Sequence, residues 1–408
     1  RIIDIFPDQA PAEPSENLKK LTVRDVLCMG CGMDTMPKPS KDWIRDFLAT
    51  PVTHAPGTTY MYNSTGSTLL GAIVRQKTGL GLHDYLKPRL FDKIGIDADN
   101  LRWMKMPDGM EVGGGGLLAT TEDNLRLMKL YADGGVWEGE CILAADYVEM
   151  ATTLQNQSAS ERNGNPFAED NFVGYGFQMW MCRPKGVYRA DGAMGQFTVV
   201  IPEREMLIAI TEFANGGTGS EMPQRVLDLL WEFLDTLPAP DVRSLPEDAQ
   251  QAQALKTRMK RLALPAPNAS VLPETMRGIN EKEYRITKGY FSIDGEEMSK
   301  VMSGSAALPS IERVRFCFET GVCTMTYQQA GTSHKLVIGT DGTWRENRLE
   351  GLLSRVLCSG EWLENNTFFL TLRWVEMASP KQLKFTFDGD SLHLHSQEDG
   401  PFVPKVDV

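Results

Sequence analysis

Three short stretches of this chain hold the residue types that proton and acyl transfer need. Tyr62-Asn63-Ser64 places a phenol and two short polar side chains where an extended segment, Thr58-Thr59-Tyr60-Met61, turns into a helix over residues 65–77. A helix start carries unpaired N–H groups, so a proton-transfer residue there sits beside a natural oxyanion position. Asp191-Gly192-Ala193-Met194-Gly195-Gln196 opens a hairpin, and residues 113–116 are a run of glycines. That run lacks the Lys-Ser/Thr of a phosphate cradle and reads as backbone that approaches a cleft or another strand closely.

A tyrosine with its ordinary pKa of about 10 is a poor base, and becomes a useful one only where a neighbouring cation lowers that value. Tyr62 therefore has two readings from its residues alone: a catalytic phenol, or a core aromatic that bonds through its hydroxyl. The other candidates carry less. His393 and His395 alternate along an expected strand and point the same way, but no carboxylate or cysteine cluster completes a metal site there. His54, His83 and His334 are isolated, and no Gly-x-Ser-x-Gly supports a Ser-His-Asp triad. Cys28-Met29-Gly30-Cys31 is a CxxC without a second CxxC or a His pair, and reads as two half-buried structural thiols. No metal and no cofactor is expected.

The elements that must position these residues follow from periodicity. Thr22 to Asp25 has the form of a capping box, and Ser40 is expected to cap a helix burying Trp43, Ile44, Phe47 and Leu48. Leu69, Leu70, Ile73 and Val74 give the helix after Ser64 its buried face, and Gly79 stops it. Short helices are expected over residues 82–91 and 144–152. Another starts at Thr120-Thr121-Glu122-Asp123. Residues 197–201 and 206–211 read as a hairpin with both faces covered, followed by an amphipathic helix over 223–237 carrying Val226, Leu229, Leu230, Phe233 and Leu234. Beyond the Pro238-Ala239-Pro240 break, a charged helix spans about 247–262. From about Glu283 short alternating segments separated by Gly, Asp and Asn read as an all-β module.

At 408 residues two domains are the natural expectation. A net charge of −12 argues against nucleic-acid binding, which needs a basic surface. No apolar stretch reaches the length of a membrane span. Seven scattered cysteines do not form a disulfide framework.

The order of these landmarks resembles the serine β-lactamase and penicillin-binding-protein superfamily, in its class C-like branch of esterases, D-aminopeptidases and transpeptidase relatives. The resemblance is carried by residues 21–33, by Pro56-Gly57-Thr58, Tyr60, Tyr62-Asn63-Ser64 and Leu69-Leu70-Gly71, and by Pro88, Leu90, Phe91 and Gly95-Ile96. It continues through residues 114–121 and Asp123-Asn124-Leu125. Asp191 to Gln196 stands where the family has Lys-Thr-Gly or His-x-Gly on an active-site strand. The resemblance covers residues 1 to about 237.

It implies a β-lactamase/DD-peptidase-like α/β domain, an antiparallel sheet flanked by helices with its N-terminal part missing, followed by a C-terminal barrel or sandwich. The expected division is 1–240, a helical linker at 241–282, and 283–408. It also implies a serine hydrolase acting through an acyl-enzyme on an ester, amide, D-amino-acid peptide or β-lactam. Tyr62 would move the proton, Ser64 would orient the network, and the Ala193 N–H would serve the oxyanion hole. Gly192, Gly195 and Gln196 would line the substrate beside Asp191, which holds an amine-bearing substrate or caps a turn.

Three departures shape the expectation. The family's Ser-x-x-Lys is not in the chain, so the nucleophile is expected upstream of Arg1. Ser64 replaces the amide of Tyr-x-Asn. Ala190-Asp191-Gly192 offers no Lys or His on the active-site strand, which turns the expectation from β-lactam carboxylates toward esters, amides or D-peptides. The alternative is a non-catalytic penicillin-binding-like protein that binds a peptide or small molecule in the same cleft. Oligomeric state and compartment are left open.

Overall fold

The computed structural model describes residues 1–37, 40–161, 167–214, 222–238, 246–293, 309–377, 380–398 and 406–407. The expected break at Ala239-Pro240 lies outside them. The chain divides into two compact units: the first runs from Arg1 to Asp235, and the second begins at Thr236. The division at 240 and 282 we keep as a proposal.

In the first unit, α1 (Val23–Leu27) starts at the expected capping box: the Thr22 side chain accepts from the Asp25 N–H, and the Asp25 carboxylate accepts from the Thr22 N–H. Such reciprocal capping satisfies two donors that a helix start leaves open. α2 (Trp43–Ala49) differs from expectation. Its N-cap is Asp42, while the Ser40 hydroxyl accepts from the Asp42 N–H and donates to Asp46. α3 (Ser64–Thr78) is capped by Asn63, whose Oδ1 accepts from the Gly66 N–H at 2.8 Å. It ends at Gly79, where φ is +75° and a left-handed residue is needed. α4 (Thr121–Ala132) has a second capping box, Thr120 with Asp123.

The sheet of this unit has four antiparallel strands in sequence order: β1 (Trp180–Met181), β2 (Tyr188–Gly192), β3 (Gln196–Ile201) and β4 (Met206–Ile210). Strand β3 is buried from Phe197 to Ile201, and α4 packs on β3 and β4. Strand β4, by contrast, is only partly covered. α5 (Gln224–Thr236) forms as expected, but its inward face is rotated. Leu227, Leu230 and Leu234 are buried, whereas Leu229 and Phe233 are about half exposed. The reason is a polar anchor: Gln224 is buried at the first turn, bonded to the fully buried Asp170, and this fixes which side faces in.

The second unit holds α6 (Ala249–Lys260) and one ten-stranded sheet, a nearly closed barrel rather than a sandwich. Its strands are β5 (Glu283–Arg285), β6 (Ile311–Glu319), β7 (Val322–Gln329), β8 (Thr332–Gly339), β9 (Arg345–Arg348), β10 (Arg355–Glu364), β11 (Thr367–Trp374), β12 (Lys381–Asp388), β13 (Ser391–Glu398) and β14 (Val406–Asp407). The order is β14-β13-β12-β11-β10-β8-β7-β6-β5, with β9 beside β10 and a single parallel link between β8 and β10. Inward positions alternate along strands such as β6, where Val314, Phe316 and Phe318 are buried. Phe316, Phe368 and Phe385 are fully buried and pack edge to face. The interior is thus filled by rings.

No helix among the described residues is long and apolar enough to cross a membrane.

Candidate functional site

Tyr62 closes the extended segment before α3. That segment is pinned on both sides: the Tyr60 N–H donates to Ser158 Oγ at 2.6 Å, and the Met61 N–H to the Met29 carbonyl at 3.0 Å. Asn63 is fully buried and has a structural duty, because its side chain caps α3 and its Nδ2 rests on Met33 Sδ. Ser64 is the first helical residue. Its carbonyl lies against Gly114, and a side chain at 113 or 114 would strike the α3 backbone at Ser64 or Ser67. The Gly114 N–H donates to Thr68 Oγ1. The glycine run therefore packs on the helix that carries the site through Gly113 and Gly114, and on the strand segment at Trp103 and Met104 through Gly115 and Gly116.

The phenol itself is stacked. The ring of Tyr62 lies 5.6 Å from that of Trp180 with 18° between planes, and meets Tyr175 edge-on at 6.4 Å. Tyr60 completes the cluster against Tyr175 and Trp180. Trp180 is on β1, directly across from Arg189 on β2. The Arg189 guanidinium lies 5.5 Å from the Trp180 ring and 5.8 Å from that of Phe197. It is fully buried, and so must be paired. Its Nε donates to Asp191 Oδ2 at 2.8 Å, Nη1 to the Met181 carbonyl, and Nη2 to Asn171 Oδ1 at 2.6 Å. Arg189 and Asp191 are two residues apart on one strand, so they share a face.

A continuous series of contacts therefore runs from Tyr62 through Trp180 and Arg189 to Asp191, two residues before Ala193. The turn that follows is Ala193-Met194-Gly195, between the paired residues Gly192 and Gln196. Met194 has φ +66° and Gly195 φ +88°. A side chain rarely adopts that region, so Met194 holds backbone strain at the tip. The turn is clamped from the segment that follows β4: the Ala214 N–H donates to the Met194 carbonyl, and Gln196 Nε2 donates to the Glu212 carbonyl. The Glu212 carboxyl fills the space a side chain at Gly195 would need. Its Oε1 is buried and has no partner among the described residues. The Ala193 N–H likewise has none, and Ala193 is exposed.

The electrostatics are consistent across this cluster. Loss of water pushes Tyr62 up to about 12, and the Asp191 carboxylate pushes in the same direction, although the residue is 46% exposed. Burial also raises Tyr60 and Tyr175. For Asp191, burial raises the carboxyl while Arg189 opposes it. Burial raises Glu212 as well. Among the described residues, Arg189 is the cation in this cluster, and it is held by Asp191.

The first unit holds Tyr62, Asp191, Gly192, Ala193, Gly195 and Gln196, with Ser64 as the first residue of α3. Sequence reasoning missed Arg189, Trp180 and Glu212. The i, i+2 spacing of Arg189 and Asp191 was the available signal for the first. Trp180 reaches the site by strand register and Glu212 by the segment that follows β4, and neither carries a local motif. Cys28 and Cys31 are fully buried free thiols, not half-buried ones, and burial pushes Cys31 up to about 12.

The family model for the β-lactamase domain matches residues 7–230. No curated protein matches the chain. Among solved structures, a β-lactamase from Mycobacterium bovis is 18% identical, with TM-score 0.38, covering 57% of this chain and 79% of that one. A penicillin-binding protein from Bacillus halodurans is 16% identical, with TM-score 0.36, covering 57% of this chain and 81% of that one. An octameric penicillin-binding protein homologue from Pyrococcus abyssi is 14% identical, with TM-score 0.34, covering 100% of this chain and 84% of that one.

Proposed function

Because the chain belongs to the serine β-lactamase and penicillin-binding-protein-like superfamily, with its β-lactamase domain at residues 7–230, we propose that it supplies the proton-transfer and oxyanion parts of an acyl-enzyme hydrolase. The substrate is an ester, an amide or a D-amino-acid peptide, with β-lactams as a further class. The contact series from Tyr62 to the Ala193 turn carries this reading, since it holds a phenol and a free N–H on one framework.

The chemistry needs a serine of a Ser-x-x-Lys pair, a motif that these 408 residues do not contain. Its Oγ bonds to the substrate carbonyl carbon and its proton passes toward Tyr62. The tetrahedral oxyanion accepts from the Ala193 N–H and from that of the serine. The carbon–heteroatom bond then breaks, the leaving group takes the proton, and water later repeats the attack on the acyl-enzyme. A phenol pushed up to about 12 is neutral at pH 7 and is no base by itself. The lysine ammonium of the pair must lie beside it to lower that value. Ser64 helps orient the same network, and Gly192, Gly195 and Gln196 border the substrate.

The test is Tyr62→Phe in protein from its native source. Hydrolysis of a chromogenic ester falls by about two or more orders of magnitude if the phenol moves the proton. An unchanged rate removes that role. A second reading is ligand binding without turnover. The raised Tyr62 favours it, and it predicts binding that is equal in wild type and Tyr62→Phe with no hydrolysis in either.

A further inference from the structure

We propose that this cleft selects molecules with an ammonium group, held by the Asp191 carboxylate, with the Tyr62–Trp180 stack beside it and Glu212 on the other flank of the turn. The inference rests on the hydrolase reading only for where the scissile carbonyl lies; ammonium binding does not require turnover.

The first argument is which member of the Arg189–Asp191 pair meets solvent. The guanidinium is 0% exposed, enclosed by Trp180, Phe197, Asn171 and the Met181 carbonyl. The carboxylate side chain is 21% exposed. Arg189 occupies one oxygen, Oδ2, and leaves the other for a ligand. The pair is formally neutral, yet the sign it presents is negative. A ligand carboxylate would meet Asp191 and could not reach Arg189.

The second argument is the aromatic surface. Tyr62 is 46% exposed and lies flat on Trp180, so an open π-face borders the same strand end. Such faces attract cations and offer nothing to anions. The third is Glu212. Its Oε1 is enclosed without a donor, packed against Gly195 at the base of the turn. It adds a carboxyl acceptor at the turn, and a buried acceptor without a donor is itself unfavourable. A cation at the turn improves its surroundings. Three features on two strands and one helix start thus favour one charge sign.

The probes are phenylalanine amide in both enantiomers, its N-acetyl derivative, which is neutral, and N-acetylphenylalanine, which is anionic. Dissociation constants are measured calorimetrically on the 408-residue chain at about pH 6, where the α-amine, with a pKa of roughly 7.7, is almost wholly protonated. The amine binds about tenfold or more tightly than the neutral amide, and the anion binds weakest. Asp191→Asn abolishes the difference, and Glu212→Gln reduces it less. Because Asp191→Asn also removes the partner of a buried guanidinium, the wild-type series decides on its own. Equal binding of the amine and its N-acetyl derivative, tighter binding of the anion, or no binding of any probe overturns the proposal. Fluorophosphonate labelling of native-source protein is run in parallel. A labelled protein without charge preference keeps the hydrolase reading and rejects this one; an unlabelled protein with the preference does the reverse.

Discussion

Each unit gathers aromatic rings, and the two clusters differ in kind. In the barrel, Phe316, Phe318, Phe368, Phe385 and Phe387 meet at 5.0–6.4 Å, and all are buried. In the first unit the rings are Tyr60, Tyr62, Tyr175 and Trp180, set on a buried Arg–Asp pair, with Tyr62 open to solvent. Offset and edge-on packing contributes in both. Phenylalanine brings area and a π-face, which buried rings in the barrel turn on one another. Tyrosine and tryptophan bring area plus a hydroxyl, an N–H and a π-face for a cation. The barrel cluster is a core, and the other is a core whose edge has been left able to do chemistry.

The comparison can be broken first in the barrel. Phe316→Ala removes a fully buried ring and is expected to cost about 3–5 kcal/mol, read as a lowered denaturant midpoint of the second unit. The Tyr62–Trp180 stack should keep its near-UV signal; joint loss of both would show that the clusters are not separate. Arg189→Met strikes the other cluster. It leaves Asp191 partly buried without its cation, an effect of about 3–5 kcal/mol at pH 7. Protonating Asp191 in acid should recover part of that loss, a pH response that Phe316→Ala lacks.

Smaller effects sharpen the contrast. Thr120→Ala removes the capping box of α4, which packs under β3 and β4, and should cost about 1 kcal/mol. The Tyr62 phenol should ionise near 12 in an ultraviolet titration, and Asp191→Asn should lower that value, since the carboxylate is one of its two causes. The smallest is Glu212→Gln. A carboxyl raised by burial from 4.5 binds its proton more tightly folded than unfolded, so its stability contribution is full below 4.5. That contribution is lost as pH rises through the higher folded value. The Gln variant should flatten this slope of the melting temperature against pH.

Much of this was legible in sequence. The capping box at Thr22, the helix start at Thr120, the Gly79 stop and the β3–β4 hairpin are local signals, set by residues within a few positions of one another. The all-β module was legible, though not whether it is a barrel or a sandwich, because period-2 alternation survives in strands such as β6, β7 and β12. The rest needed tertiary information. α5 turned its Leu229 and Phe233 outward because buried Gln224 is tied to Asp170, 54 residues away. Tyr62 was found as a residue type at a helix start, but its environment was not. Trp180 and Arg189 meet it through strand register, and no periodicity announces that. Asp191 was left between holding an amine and capping a turn; the ion pair with Arg189 was the partner not foreseen.

One measurement bears most directly on the claim that Tyr62 and the Ala193 turn belong to an acyl-transfer site. Protein from the native source is treated with a fluorophosphonate, and the modified residue is mapped by mass spectrometry in wild type and in Tyr62→Phe. The account predicts a single adduct on the serine of a Ser-x-x-Lys, formed about a hundredfold more slowly in Tyr62→Phe. No adduct, or an adduct formed equally fast in both proteins, would contradict it.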